Sequence, residues 1–600
     1  MIRHVVGLGV FCLSAGAGTS IAGEKTMNQI INIGDHRDST IATEGTARVV
    51  IVVAKDAPEP EQHAAYELSV FLEKVTGGKF RVVNIIIPGK DSLFVGPDAA
   101  KLADSSFSIK DLGAEGIILR TVNKGIILAG SRPRGTLYAV YTFLEDYVGC
   151  RWWSSKVSLI PRQPTLAVGD LSVRYVPSLE YRSVYGFDAL NADWSAQNKC
   201  NGQGHRLQAK HGGKHSYAGF VHTIPKLVPE DRYGKSHPEW FKHGWLCLSN
   251  EDARRELVKN LKTLLRKHPE ATIASVSQPD GKRHNCQCPK CKAVYKETGA
   301  PSGLVLRFVN AVAADIEKEF PHVAISTLAY NYTQRAPAKV VPRSNVIVRL
   351  CSMQASFSKP LNHDRNKAFR VDLIAWSKIT DRLYVWDYTT NFGHYISPHP
   401  NLHVLGPNIR FMVKNGVKGI FEQGAYNSPG TEMAELRAWV LAKLLWNPQL
   451  DDRKLIDDFL DGYYGPAAPH IKAYLDVTHQ AVDASGDYLS AIRGRSLPKF
   501  LGSFETITQS WKHLTAAEKA VQGKPDLILR VRIVQLPVLY VFMVNWKQFR
   551  KQAETAKIKW PVQDSVKEVH DHFIEVTKAA QIKRVREQSD LEWLKRYLHQ

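Results

Sequence analysis

The fold class is indicated by residues 383–424, which read LYVWDYTTNFGHYISPHPNLHVLGPNIRFMVKNGVKGIFEQG. The segment begins and ends on a short apolar run, and each run leads into a carboxylate, Asp387 or Glu422. Short apolar runs that alternate with amphipathic helices are typical of parallel βα units. Eight such runs between residues 176 and 449 predict a (β/α)8 TIM-like barrel. The expected strands lie near residues 179–186, 217–222, 245–248, 273–277, 324–330, 346–351, 383–387 and 419–422.

The barrel is expected to lie between two other folded regions, which makes the chain an α/β protein. Residues 45–175 alternate strand-like runs with two amphipathic helices and predict an N-terminal α/β accessory domain. Residues 176–449 are the predicted catalytic barrel. Residues 450–600 are mainly helical in pattern and predict a C-terminal helical region.

Residues 1–22 have the pattern of a secretory signal peptide, with early positive charge, an apolar run and small residues that end at Ala22. The protein is therefore expected to be exported, to the periplasm or outside the cell. No later window is expected to span a membrane, the nearest being 536–544. The formal charge of +21 is spread along the chain, so a glycan is a more natural partner than nucleic acid. The oligomeric state is left open.

Polar side chains follow several of the expected strands, at the end where barrel enzymes carry their reactive groups. Glycoside cleavage needs an acid that protonates the leaving oxygen and a second group that stabilises or attacks the sugar carbon. Asp280 and Glu422 are the predicted catalytic pair, facing each other across one hollow. The alternative is that both carboxylates cap helices or form ion pairs. The predicted substrate-binding residues at the same strand ends are Gln278, Tyr330, Asn331, Trp386, Asp387, Tyr388, Asn391 and His394.

Cys286, Cys288 and Cys291 are close enough in sequence to bind one metal ion. With His284 or a distant cysteine as a fourth ligand they would form a structural zinc site. A Cys288–Cys291 disulfide or free thiols are the alternatives. A soft site of three thiolates has no obvious position for a reactive water, so no cofactor is expected to be required for catalysis. Cys247 lies in an apolar run, where a buried thiol is expected.

Several motifs in one order resemble glycoside hydrolase family 163, which was first catalogued as a domain of unknown function. They are Ser275-Val-Ser-Gln-Pro-Asp-Gly281, Cys286-Gln-Cys-Pro-Lys-Cys291, Val385-Trp-Asp-Tyr388, Asn391-Phe-Gly-His-Tyr395 and Phe421-Glu-Gln-Gly424. The preceding region, with Gly149-Cys-Arg-Trp-Trp153, looks like the α/β domain that precedes the barrels of α-glucuronidases and β-hexosaminidases.

The resemblance implies an endo-β-N-acetylglucosaminidase that releases complex N-glycans from glycoproteins with retention. In a substrate-assisted mechanism of this kind, the acetamido group of the sugar attacks its own anomeric carbon. Asp280 would then orient that group and Glu422 would be the general acid. Pro279 stands where the family pattern has an asparagine, which bears on the choice of glycan.

Two other functions fit the sequence. An α-glucuronidase-like hydrolase of acidic polysaccharide would suit the basic charge, and it would need an Arg or Lys that binds the uronate carboxylate. A carbohydrate-binding protein without catalysis would use the barrel mouth as a lectin site and would release no product.

Overall fold

The computed structural model describes residues 39–242, 244–281, 285–492 and 497–598. The predicted signal peptide and His284 lie outside the described residues, so both stay predictions.

The N-terminal region contains a six-stranded mixed sheet with helices on both faces. Its Val49–Val53 strand is buried at every position, as expected for a strand covered on both sides. Helices Glu59–Thr76 and Gly135–Asp146 pack on one face, and helix Pro97–Ala103 packs on the other. The strands follow the spatial order Ser172–Tyr175, Ile117–Val122, Gly125–Gly130, Asp91–Val95, Val49–Val53 and Val82–Val83.

The central region is built on a curled sheet of seven parallel strands, compatible with a TIM-like barrel. The expected strand at 245–248 is not part of this sheet. Trp245–Leu246 pairs instead with Phe241–Lys242 in a separate antiparallel ribbon, because Gly244 adopts a positive φ of 82° and the chain turns back there. The seven strands follow the spatial order Tyr181–Tyr185, Gly419–Gln423, Leu383–Tyr388, Val346–Cys351, Ala324–Ala329, Ile273–Ser275 and Tyr217–Ala218.

The curl brings the two edge strands towards each other. The rings of Tyr181 and Tyr217, one on each edge strand, are 6.3 Å apart. Arg349 lies between these edges with its guanidinium carbon 5.1 Å from the Tyr217 ring and 4.9 Å from the Phe220 ring. The guanidinium group is buried among aromatic faces, so cation–π attraction replaces part of its hydration.

Helices surround the sheet, and further helices form the C-terminal region. The hydrophobic core is continuous from the outer face of the sheet into the C-terminal helices. The main helices around the sheet are Glu251–Lys267, Pro289–Thr298, Ser302–Glu317, Lys367–Ser377, Leu402–Lys414 and Ala434–Trp446. The helices of the C-terminal region are Asp452–Tyr464, Ala468–Ser485, Phe504–Ala520, Pro525–Val544, Trp546–Ala556, Val566–Ala579 and Leu591–Leu598.

One of these helices, Pro525–Val544, is long and apolar enough to cross a membrane by length and composition alone, and it contains the window 536–544 noted in the sequence. In its most apolar window, 61% of the residues are buried within the protein. Core helices of soluble proteins meet the same criteria, so no membrane span is evident in the described part of the chain.

A buried charged cluster joins the N-terminal region to the barrel. Glu115 accepts hydrogen bonds from Arg134, Arg182 and Asn201, and the Asn201 amide nitrogen is 3.0 Å from each carboxylate oxygen. Burial alone would raise the pKa of Glu115, but the positive charges of Arg182 and Arg134 outweigh it and hold the pKa at about 2. The four side chains therefore satisfy one another where water is excluded.

Replacing Arg182 with leucine should destabilise the protein on the order of 3 kcal/mol, because it leaves the Glu115 carboxylate buried with fewer partners. Urea unfolding followed by tryptophan fluorescence measures the change. Arg307→Leu is the control, since Arg307 pairs with Glu297 on the surface, where such a pair contributes less than about 1 kcal/mol. Equal losses in both variants would contradict a structural role for the cluster.

Candidate active site

A pocket of about 250 Å³ opens at the carboxyl ends of the barrel strands. Enzymes with parallel barrels place their active sites at this end, because strand termini and their loops converge there. The lining combines carboxylates, a histidine and aromatic rings, which is a composition suited to sugars. The lining residues are His222, Asp280, Leu328, Tyr330, Cys351, Met353, Trp386, Tyr388, Phe392, Gln423, Ile492 and Glu587.

Asp280 lies at the rim of this pocket, as the sequence predicts, and its side chain is exposed. Its Oδ1 accepts hydrogen bonds from the Tyr330 hydroxyl at 3.2 Å and from the Gly281 backbone amide at 2.8 Å. The side-chain amide nitrogen of Asn331 donates a hydrogen bond to the Gly281 carbonyl oxygen at 3.2 Å. Tyr330 and Asn331 therefore support the loop that carries the carboxylate.

Gln278 anchors the same loop and does not line the pocket. Its side chain is 2% exposed, and its amide nitrogen donates to the Thr333 hydroxyl at 2.7 Å. His222 adds a second anchor, with Nδ1 2.8 Å from the Gln278 carbonyl oxygen. Gln278 therefore lies behind the pocket lining, where it supports the loop that carries Asp280, and its substrate-binding role stays a prediction.

The strand Leu383–Tyr388 supplies an aromatic wall. Trp386 and Tyr388 line the pocket and stack with ring centroids 6.2 Å apart. The Trp386 indole nitrogen donates to the Gln423 side-chain oxygen at 2.8 Å, which fixes the ring plane. Ring faces held in this way present an apolar surface of the kind that stacks against sugars.

Glu587 is a second carboxylate in the pocket, and the sequence analysis missed it. It belongs to the C-terminal region, where it directly follows the strand Arg584–Arg586. Its backbone amide donates to the Phe392 carbonyl at 3.0 Å, and its own carbonyl accepts from the Asn427 side chain at 2.9 Å. The segment is thus fastened to the loops that follow two barrel strands. No pattern around Glu587 marks it in the sequence, since it lies far from any barrel strand.

The environment of Glu587 favours its protonated form. Partial burial raises the pKa of the carboxyl, and a hydrogen bond from the Tyr426 hydroxyl at 3.3 Å opposes the rise only in part. A carboxyl group with a raised pKa is suited to donate a proton near neutral pH.

Glu422 does not face Asp280, and the expectation of one shared hollow is not met. Successive side chains of a strand point to opposite faces. Phe421 packs in the barrel interior and Gln423 lines the pocket, so Glu422 points outward to the surrounding helices. It is 1% exposed and borders a small space of about 30 Å³, which is room for about one or two water molecules.

Asp387 lies beside Glu422 on the neighbouring strand and shares its outward orientation. It is 4% exposed and accepts hydrogen bonds from the Ser352 hydroxyl and the Tyr388 amide. Burial raises the pKa of Asp387 to about 6. Burial and the Asp387 charge together raise the pKa of Glu422 well above its usual range, and Glu422 Oε2 has no hydrogen-bond partner among the described residues. The two carboxyls form a buried pair outside the pocket.

Asn391 and His394 are buried as well and do not line the pocket. The Asn391 side-chain oxygen accepts from the Gly393 amide at 3.0 Å. His394 Nδ1 lies 2.8 Å from the Tyr540 hydroxyl on helix Pro525–Val544. Asn391 thus stabilises a turn within the loop after strand Leu383–Tyr388, and His394 connects this loop to the C-terminal region.

The predicted metal ligands Cys286, Cys288 and Cys291 lie together, and Cys247 joins them. None of the four lines the pocket.

A larger cleft of about 580 Å³ lies beside the pocket, between the N-terminal, barrel and C-terminal regions. Tyr426 lines this cleft while bonding to Glu587, so the two spaces are neighbours. Lys156, Arg206 and Arg530 line it together with Asp188 and Glu435.

The buried pair predicts a pH dependence of stability. The unfolded chain loses both protons near pH 4, but the folded protein retains them to higher pH, so stability should fall as pH rises through about 6. The melting temperature of Glu422→Gln should therefore rise relative to that of wild type between about pH 5 and about pH 8. This range lies above the usual carboxyl pKa values. Differential scanning fluorimetry across this range measures the gain.

The control is Glu73→Gln, which changes an exposed glutamate on helix Glu59–Thr76. Its melting temperature should run parallel to that of wild type. A Glu422→Gln curve that also runs parallel would show that the pair does not retain its protons on folding.

Comparison with solved structures identifies the class of fold. A family GH115 4-O-methyl-α-glucuronidase with specificity for decorated arabinogalactans matches with a TM-score of 0.57 at 12% identity, over 89% of this chain and 76% of that one. A GH138 enzyme that targets pectin rhamnogalacturonan II matches with a TM-score of 0.46 at 11% identity, over 92% of this chain and 98% of that one. The first likeness shows that the chain has a fold found among glycoside hydrolases.

The sequence itself matches the family described as a domain of unknown function (DUF4838) over residues 152–476, which is more than half of the chain. The protein belongs to this family. No curated protein matches the chain. The comparisons do not confirm the resemblance to glycoside hydrolase family 163, which stays a prediction.

Proposed function

We propose that this protein is a glycoside hydrolase that cleaves its substrate in the barrel-mouth pocket. The observation that carries the proposal is that Asp280 and Glu587 line one pocket together with the rings of Trp386 and Tyr388. Two carboxylates beside aromatic faces provide both the proton transfer and the charge stabilisation that glycoside cleavage requires. The fold shared with a known glycosidase is consistent with this chemistry.

The two carboxylates differ in ways that suit different roles. Glu587 is the general acid, because its raised pKa keeps a proton available for the leaving oxygen. Asp280 is oriented by the Tyr330 hydroxyl and the Gly281 amide, which suits a group that positions the substrate or stabilises positive charge on the sugar. Burial and, to a smaller extent, the negative charge of Asp280 raise the pKa of Tyr330 to about 12. The phenol therefore keeps its proton and remains a hydrogen-bond donor.

The preferred glycan is proposed from the family resemblance alone. The resemblance favours an endo-β-N-acetylglucosaminidase that acts on complex N-glycans with retention, and Asp280 would then orient the acetamido group. Export to the periplasm or the cell exterior is likewise proposed, from the pattern of residues 1–22. A glycoprotein outside the cell is a substrate that an exported enzyme would meet.

An α-glucuronidase-like activity on acidic polysaccharide is the second proposal. The described lining of the pocket contains no Arg or Lys, whereas Lys156, Arg206 and Arg530 line the neighbouring cleft. The cleft could therefore bind uronate carboxylates away from the bond that is cleaved. The formal charge of +21 would also attract such a polymer.

A screen of N-glycoproteins and acidic polysaccharides, with released sugars identified by mass spectrometry, tests the substrate. Release of N-glycans supports the first proposal, and release of uronic acid supports the second. Binding of glycans without any product would contradict both and would favour a lectin.

With a substrate in hand, Asp280→Asn and Glu587→Gln should each lower kcat/KM on the order of 10²- to 10⁴-fold, because each removes one acid–base or charge-stabilising group. In wild type, loss of the Glu587 proton should lower the rate at alkaline pH. Glu587→Gln should remove this alkaline limb of the pH–rate profile. Steady-state kinetics from about pH 4 to about pH 9, a range that begins near the usual carboxyl pKa and extends above it, measures both effects.

Glu422→Gln is the matched control, because it changes a glutamate that is buried outside the pocket. It should keep kcat/KM within about threefold of wild type, the scatter expected of effects below about 1 kcal/mol. Circular dichroism confirms that all variants are folded. Loss of turnover in Glu422→Gln together with normal rates in Glu587→Gln would overturn the assignment.

A further inference from the structure

Four cysteine side chains converge beside the loop that carries Asp280. The sulfur atoms of Cys247, Cys286, Cys288 and Cys291 all lie within 4.8 Å of one another. Three of these side chains are buried, and Cys288 is partly exposed. Seven cysteines are described, and the other three, Cys150, Cys200 and Cys351, lie apart from this group.

The spacing between the sulfur atoms fits a tetrahedral metal site. Zinc–sulfur bonds of about 2.3 Å in a tetrahedron separate the sulfur atoms by about 3.8 Å. The Cys247 sulfur lies 3.8 Å from the sulfur of Cys288 and 3.8 Å from that of Cys291. A disulfide needs about 2.05 Å, so neither pair has the separation of a disulfide.

The local backbone also resembles that of a thiolate site. Cys288 caps the N-terminus of helix Pro289–Thr298, and its sulfur accepts a hydrogen bond from the Cys291 amide at 3.5 Å. The Ser249 hydroxyl lies 3.2 Å from the Cys291 sulfur and 3.3 Å from the Cys247 sulfur. Donors of this kind surround metal-bound thiolates and stabilise their negative charge.

We propose that Cys247, Cys286, Cys288 and Cys291 bind one structural zinc ion. On binding, each thiol releases its proton to solvent and its sulfur forms one bond to the metal. The distant cysteine that the sequence analysis left open as a fourth ligand is Cys247, supplied by the end of the ribbon that contains Trp245–Leu246. Four thiolates complete the tetrahedron, so the metal has no open position for a water nucleophile.

The site would hold three parts of the chain together. Cys247 follows the Trp245–Leu246 ribbon, Cys291 lies in the first turn of helix Pro289–Thr298, and Cys286 lies six residues after Asp280. A metal at this point fixes the far end of the loop whose near end is anchored by Gln278. The zinc site is thus a positioning element for the pocket, and its existence does not depend on which reaction the pocket performs.

Metal analysis of the full-length protein, purified without chelator and with reductant present, tests the proposal. Inductively coupled plasma mass spectrometry should find close to one zinc per chain. Cys247→Ser and Cys291→Ser should each lower the zinc content at least several-fold, and loss of the metal should lower the melting temperature. Cobalt added to metal-free protein should produce the strong visible absorption of a tetrahedral thiolate complex.

Cys150→Ser is the matched control, because it removes a buried thiol from the core of the N-terminal region and should leave the zinc content at one per chain. If the cysteine variants fail to fold, thiol labelling of wild type still decides the matter. All four thiols should be protected in the native protein and become reactive on chelation. Wild-type protein without metal that takes up neither zinc nor cobalt, or disulfides among the four cysteines, would overturn the proposal.

Discussion

The site depends on the alternation of side chains along the parallel strands of the barrel. On the strand Gly419–Gln423, Phe421 packs in the barrel interior and Gln423 lines the pocket, so Glu422 between them points to the helices. The same alternation directs Trp386 and Tyr388 into the pocket and Asp387 away from it. A carboxylate at the end of a strand is therefore available to a substrate only if its side chain points to the inner face of the sheet.

The pocket is not a property of the barrel alone. Glu587 reaches it from the C-terminal region, where backbone hydrogen bonds join the Val585 carbonyl to the Tyr395 amide and the Glu587 amide to the Phe392 carbonyl. The Ser428 hydroxyl accepts from the amides of Lys583 and Arg584. Because the helices of the C-terminal region share one hydrophobic core with the outer face of the sheet, the position of Glu587 is coupled to the packing of both regions.

The sequence predicted the fold better than it predicted the site. Seven of the expected strands lie in the sheet, and Asp280, Tyr330, Trp386 and Tyr388 lie at the pocket as expected. The inner and outer faces could not be distinguished, because a strand buried on both sides has no alternation between buried and exposed positions, as in Val346–Cys351, which is buried at every residue. Glu587 could not be found either, since its place in the pocket arises from contacts between residues about 160 positions apart, such as that with Asn427.

The most direct test of the central claim is a crystal structure of the Asp280→Asn variant with a bound oligosaccharide substrate. A sugar ring should lie in the barrel-mouth pocket against Trp386 or Tyr388, with the glycosidic oxygen within hydrogen-bond distance of Glu587. Density for the glycan only in the cleft beside Lys156 and Arg530, with no sugar near Glu587, would contradict the account.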